Sequence, residues 1–210
     1  MATAVANFAQ LFNNAILTRA SLPGKHGGNK GFRPCRHRQI APHSPIDRSL
    51  KEYAMTTEIE ERLAALGIEL PSPGKPGANY VPFVVTGNLV FVSGQVPMAP
   101  DGVKFVGKVG KDFSMEEGQQ AARLCAINIL GMLKAAVGGD LDKIARIVKV
   151  VGFVNAVPDF TDVHKVINGA SDLITDVLGD HVGKHSRSAI GMGTLPLGVA
   201  VEVEAVAEIL

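Results

Sequence analysis

The chain closes on V-A-V-E-V-E-A-V-A-E, Val199 to Glu208, and this alternation is the tightest constraint on its fold. Successive side chains of a strand point to opposite faces. Val199, Val201, Val203, Ala205, Ala207 and Ile209 therefore share one face, and Ala200, Glu202, Glu204, Val206 and Glu208 share the other. An unbroken aliphatic face has to be covered by another layer, whereas an acidic one faces water or a subunit partner. Upstream, the residues from His185 read as a second strand, with Pro196–Gly198 as a tight turn between the two. On this reading residues 185–208 form a hairpin with Arg187 at its mouth, and the rest of the chain is the scaffold that carries it.

The covering layer is legible upstream. Thr57 and Glu60 have capping-box spacing for a short helix over 57–67, stopped by Gly67. Three prolines make 71–79 a loop. Val81 to Thr86 and Leu89 to Ser93 are strands joined through Gly87-Asn88, and a second hairpin turns through Ala99–Gly102 into Val103 to Val109. Ser114 and Glu117 open a long helix that runs to about Val137, with Ala122, Cys125, Ala126, Ile129, Leu133 and Ala136 on its apolar side. Ile144 to Val154 is almost continuously apolar and reads as a central strand buried on both faces. Pro158 and Asp159 start a second long helix that ends at Gly179. The order β-β-β-α-β-α-β-β predicts an α+β fold, a six-stranded mixed sheet with two long helices on one face.

Charge divides the chain. Residues 1–54 carry eight Lys/Arg against Asp47 and Glu52, net +6, while the remainder carries 13 against 18 acids, net −5. The basic extension reads either as a transit peptide or as unused sequence upstream of a start at Met55, and is expected to be disordered. A single domain is expected over 55–210. A core at −5 is a poor partner for phosphate backbones, which argues against nucleic acid and a ribonuclease activity. No apolar run reaches the length of a membrane span. Two distant cysteines, Cys35 and Cys125, suit a reducing compartment: the cytoplasm, or a mitochondrial or plastid matrix if 1–54 is a transit peptide. His164, His181 and His185 lack the spacing of metal ligands, so no metal is expected.

Several segments, in order, resemble the RidA/YjgF family: Ala78-Asn79-Tyr80, Phe91-Val92-Ser93-Gly94-Gln95-Val96-Pro97, Arg187-Ser188, Leu195-Pro196 and Val201-Glu202-Val203-Glu204-Ala205. The similarity spans about residues 75–210. It implies a chorismate-mutase-like fold, a homotrimer whose sheets form a central barrel, and pockets between neighbouring subunits. It also implies hydrolysis of reactive enamine and imine intermediates, 2-imino acids, to 2-keto acids and ammonia, with no cofactor.

The residues suit that chemistry. A guanidinium binds a carboxylate bidentately, which assigns Arg187 to the substrate carboxylate. Glu202, fifteen residues later as in the family, is the candidate for orienting the attacking water. Tyr80 matches the family's pocket tyrosine, and Ser93 and Gly94 match residues of its floor. Two departures mark a divergent subgroup. Ala189 stands where many members carry a cysteine, and the segment between Asp159 and Arg187 is longer than in the best-understood branch. The family's pocket asparagine aligns with His164 without a gap and with Asn168 after one inserted helical turn. A binding module that senses a small carboxylic metabolite without turning it over is the alternative to catalysis.

Overall fold

The computed structural model describes residues 57–74 and 78–210. The readings of 1–54 and of a start at Met55, and Lys75–Gly77 of the predicted proline loop, lie outside the described residues. Thr57 caps α1 (Glu58–Ala65), its hydroxyl accepting from the Glu60 amide at 3.3 Å. β1 (Phe83–Thr86) and β2 (Leu89–Gln95) form the expected hairpin, with Gly87 at φ +58° in its turn. A two-residue ribbon follows, β3 (Met98–Ala99) with β4 (Gly102–Val103). Then come α2 (Met115–Ala136), β5 (Ile144–Asn155), α3 (Val163–Val166), α4 (Asn168–Gly183), β6 (Ser186–Met192) and β7 (Val201–Ile209).

The main sheet has five strands rather than six, in the order β1-β2-β7-β5-β6. Only β5 and β6 are parallel. The predicted strand over Val103–Val109 is what is missing. Phe105 takes φ +52° and Gly107 φ +150°, so the chain leaves extended geometry and meets the fold through isolated bridges at Val106 and Val109. Phe105 then packs edge-on to Phe113, with ring centroids 5.7 Å apart.

The expected terminal hairpin does not form. β6 and β7 lie on opposite sides of β5, which separates them. The segment between them is a crossing loop over the end of β5, with a short 3-10 turn at Pro196–Gly198. Asn155, 3% exposed at that end, fastens the crossing. Its Nδ2 donates to the Gly107 and Val199 carbonyls at 3.2 and 3.1 Å, and its Oδ1 accepts from Lys108 Nζ at 2.6 Å. Lys108 Nζ also donates to the Gly193 carbonyl at 2.6 Å, tying down the loop after β6.

α2 and α4 cover one face of the sheet. Ser114 caps α2 in a full capping box with Glu117. The second helix begins later than expected: Pro158 and Asp159 sit in a turn, and α3 is a single turn interrupted at Ile167. The interruption coincides with close packing, because a Cβ on Gly169 would run into the Gln119 backbone of α2. Gly179, at φ +78°, breaks α4 where the sequence predicts, and one more turn carries the chain to Gly183.

The aliphatic set of β7 lies under these helices, with Val201, Val203 and Ala207 fully buried. β5 is central but covered on one face only. Its residues Val148, Val151 and Phe153 stay partly exposed, and Val84, Phe91 and Ile190 are exposed on other strands of the sheet. The acidic set of β7 has the intermediate or exposed positions, apart from the buried Ala200.

Replacing Asn155 with Ala strands two carbonyls and an ammonium at once. We expect a loss of about 3 kcal/mol in denaturant-unfolding stability, the cost of unsatisfied buried polar groups. An unchanged transition midpoint would show that the crossing loop holds without it.

Candidate functional site

β2 loses step with β7 at the residues the sequence singles out. Val92 pairs with Ala205 and Gln95 with Val203, so Ser93-Gly94 forms a β-bulge. Gln95 stabilises it, its Nε2 donating to the Ser93 carbonyl at 2.9 Å and the Gly94 carbonyl at 3.3 Å. The Glu202 carboxylate rests on Gly94, and a Cβ at that position would collide with Glu202 Oε1. Only glycine lets this carboxylate lie against the strand.

Glu202 opens into a cleft of about 550 Å³ walled by Tyr80, Pro82, Gln95, Val96, Met98, Met132, Pro196 and Leu197. α2 fixes one wall, because Asn128 Nδ2 donates to the Val96 and Met98 carbonyls at 3.0 and 3.1 Å. Leu197 forms a lip. It is 66% exposed and held at φ +57°, a conformation that L residues with large side chains rarely adopt. Burial, and then the charge of Glu204, push the Glu202 carboxyl above its ordinary value of 4.5. Behind the strand, Cys125 is fully buried with its thiol 3.7 Å from the Val201 carbonyl, and burial pushes its pKa up.

Ser93 belongs to different surroundings. Its hydroxyl donates to the Val81 carbonyl at 2.7 Å, and it lines a smaller hollow on the open sheet face with Lys149 and Glu204. The structure therefore unites Tyr80, Gly94 and Glu202 and leaves Ser93 beside them as support for the bulge.

Arg187 stands apart. It pairs with Val150 of β5, whose face lies under the helices, while Glu202 pairs with Phe153 on the alternate face. Its guanidinium turns to α3 and α4. Nη1 donates to Asn168 Oδ1 at 2.9 Å and Ser171 Oγ at 3.0 Å, and Nη2 donates to the His164 carbonyl at 3.1 Å. Asn168 is thus the asparagine that meets the arginine, and His164 offers only its backbone. Of the five guanidinium N–H groups, Nε–H and one on Nη2 have no acceptor among the described residues, a fork suited to a carboxylate. Sequence reasoning missed Ser171 and His185, which share this hollow with Thr175, Lys184 and Arg187. Their only signal was adjacency to Arg187 and to the helix that covers it. Among the described residues no three His, Cys, Asp or Glu side chains could hold a metal ion together, and no helix is long and apolar enough to cross a membrane.

Residues 60–209 match the profile of the family described as "YjgF/chorismate_mutase-like, putative endoribonuclease". The chain belongs to the YjgF/RidA-like family. It is 45% identical to protein TCP17 of Trypanosoma cruzi over 72% of this chain and 94% of that protein. It also resembles the crystal structure of Atu1372 from Agrobacterium tumefaciens, with 49% identity, TM-score 0.69, and coverage of 77% of this chain and 99% of that one. It is 30% identical to "putative reactive intermediate deaminase TdcF" of Escherichia coli, over 65% of this chain and 90% of that protein. The YjgF/RidA-like family thus includes proteins named as reactive intermediate deaminases, and the α+β architecture is that of the family.

The raised carboxyl of Glu202 sets a stability prediction. Between its unfolded value of 4.5 and the higher folded value, the unfolded state loses the proton first. Stability from this group therefore falls as pH rises through that window and stays lowered above it. Glu202→Gln should melt higher than the wild type at pH 7, with the gain gone by about pH 4. Thermal melts across pH check this; a variant that melts lower at pH 7 would contradict it.

Proposed function

We propose that this protein hydrolyses reactive 2-imino acids, and the enamines that tautomerise with them, to 2-keto acids and ammonia, in a pocket shared by two copies of the chain. The observation that carries this reading is the division of the site. Arg187 presents an unused two-pronged N–H fork on the helix side of edge strand β6. Glu202 holds a half-buried carboxylate, poised above its ordinary pKa, in an apolar cleft associated with the other face. A ligand small enough to be an imino acid cannot touch both within one subunit. The open face of the sheet, with Val84, Phe91, Val148 and Ile190 exposed, is the kind of surface a second copy would cover. A cyclic trimer, as the family resemblance implies, would set one copy's Arg187 beside the next copy's Glu202 at each interface.

The chemistry then follows from the groups. The Arg187 fork fixes the substrate carboxylate, which orients the adjacent C=N bond. Glu202 takes a proton from water as the oxygen attacks the imine carbon. The resulting carbinolamine receives that proton on nitrogen; as the C–N bond breaks and ammonia leaves, the hydroxyl gives its proton to the Glu202 carboxylate and the C–O bond becomes the keto carbonyl. Tyr80, 57% exposed at the cleft mouth, is placed to cover the bound ligand. No thiol is needed, in keeping with Ala189, which packs against the core. The ribonuclease in the family's description would need a cationic track for phosphates, and residues 55–210 carry −5.

Arg187→Ala and Glu202→Gln should each lower kcat/KM for imine hydrolysis by about 10²–10³, measured by trapping imine with semicarbazide as an amino-acid oxidase generates it. Unfolding and refolding the two inactive variants together should restore activity at about one site in four, because a mixed assembly pairs an intact Arg187 with a neighbour's intact Glu202. No recovery on mixing would place the site within one chain. Tight pyruvate binding by a wild type that hydrolyses no imine would make this a sensing module.

A further inference from the structure

The hydrogen bonds that hold Arg187 extend beyond its own acceptors. Ser171 Oγ, which accepts from Nη1, also lies 3.0 Å from His185 Nε2, and His185 Nδ1 lies 2.6 Å from the Gly183 carbonyl. A carbonyl only accepts, so Nδ1 carries the proton. Nε2 of the neutral ring is then an acceptor, and the Ser171 hydroxyl must donate to it. Its lone pairs are left for the guanidinium. The series has one direction, from guanidinium to hydroxyl to imidazole to carbonyl.

Protonation at Nε2 would reverse the middle link and aim two cationic donors at one oxygen. The surroundings oppose that state. Burial lowers the His185 pKa from 6.5, and the Arg187 charge adds to it against the opposing Gly183 bond. Besides Arg187 from β6, Lys184 lines the hollow, and it pairs with Asp180 of α4 at 2.5 Å. The α4 face contributes hydroxyls, Ser171 and Thr175, the latter donating to the Ser171 carbonyl at 3.0 Å.

We propose that Ser171 and His185 are positioning residues for Arg187: the Nδ1–H tautomer of His185 turns the Ser171 hydroxyl so that its lone pair fixes the guanidinium plane and presents the remaining fork to a ligand carboxylate. This rests on the carboxylate-binding role given to Arg187 above. Asn168 and the His164 carbonyl hold one side of the guanidinium, and Ser171 supplies the third point that stops it from swinging. Ser171 and His185 never touch the reacting carbon. Their loss should weaken binding of substrate and transition state alike, raising KM and leaving kcat in place.

The test uses the full-length protein with Arg187→Ala, Ser171→Ala, Ser171→Thr and His185→Phe. Pyruvate affinity is read by calorimetry, imine hydrolysis by kcat and KM, and folding by thermal melts. Ser171→Ala and His185→Phe should bind pyruvate roughly tenfold more weakly and raise KM alike, with kcat within about twofold, while Ser171→Thr restores the wild-type values. Nitrogen-15 NMR of the wild type at neutral pH, with His185 assigned by its loss in His185→Phe, should show Nδ1 protonated and Nε2 bare. Wild-type affinity in Ser171→Ala and His185→Phe, with Arg187→Ala at least tenfold weaker, would overturn the relay and leave the clamp standing. Wild-type affinity in Arg187→Ala would overturn the clamp and the relay with it. A fall in kcat with KM unmoved would place the pair in the chemical step. A protonated Nε2 beside a bare Nδ1 would overturn the hydroxyl's direction even if a variant failed to fold.

Discussion

At the end of β5 the buried amide of Asn155 binds two separate pieces of chain, the loop at Gly107-Lys108 and Val199 just before β7, and the Lys108 ammonium carries the junction on to a third at Gly193. The sheet order depends on this junction. β6 runs toward it and β7 runs away from it, on opposite sides of β5. Without a fastening there, the loop between them would cross the open end of a strand with its carbonyls unmatched. The crossing separates Arg187 and Glu202 by the width of β5, and the pleat of the strands turns them to opposite faces, Arg187 beside Val150 and Glu202 beside Phe153.

The elements whose signals are local were legible in the sequence. The capping residues Thr57 and Ser114 sit where their spacing to Glu60 and Glu117 implies, and Gly179 interrupts its helix. The inward set of β7 is the set its alternation gives. Strand pairing was not legible. Alternation says which face a residue joins but not which strand lies beside it, so residues 185–208 read as a hairpin although their two strands flank a third. The Val103–Val109 segment looked extended because Val103, Val106 and Val109 are β-branched, while Phe105 and Gly107 adopt positive φ, which glycine accepts freely and phenylalanine rarely does. Asn155 closes an apolar run and reads as the end of a strand; its bonds reach residues 44 to 48 positions away, beyond any local pattern.

The candidate site divides the same way. The resemblance supplied Tyr80, Gly94, Glu202 and Arg187, and the structure gives each a physical setting. Gly94 is required by the carboxylate that lies on it, Tyr80 stands at the mouth of the same cleft, and Arg187 keeps a donor fork available. Ser93 proves to be a strut of the bulge through its bond to Val81. The choice between His164 and Asn168 turns on a helix interruption at Ile167, which nothing in the composition of that segment announces. Ser171 and His185 were invisible for a plainer reason: a hydroxyl and an imidazole fourteen residues apart have no joint signature until a turn at Gly183 brings them together.

The sealed position of Cys125 has a chemical consequence for the cleft beside it. Its thiol lies in the core behind Glu202, and burial keeps it protonated, so peroxide meets no thiolate there. Position 189, on the Arg187 strand, holds no sulfur either. On the wall of this cleft the sulfur that solvent reaches is the thioether of Met98, 41% exposed, while Met132 is 5% exposed. Its sulfoxide would put a polar, stereogenic group into the apolar wall of the cleft. Oxidation at Met98 would change the shape of the cleft without touching a charged group, and its reversal would need a sulfoxide reductase rather than a thiol.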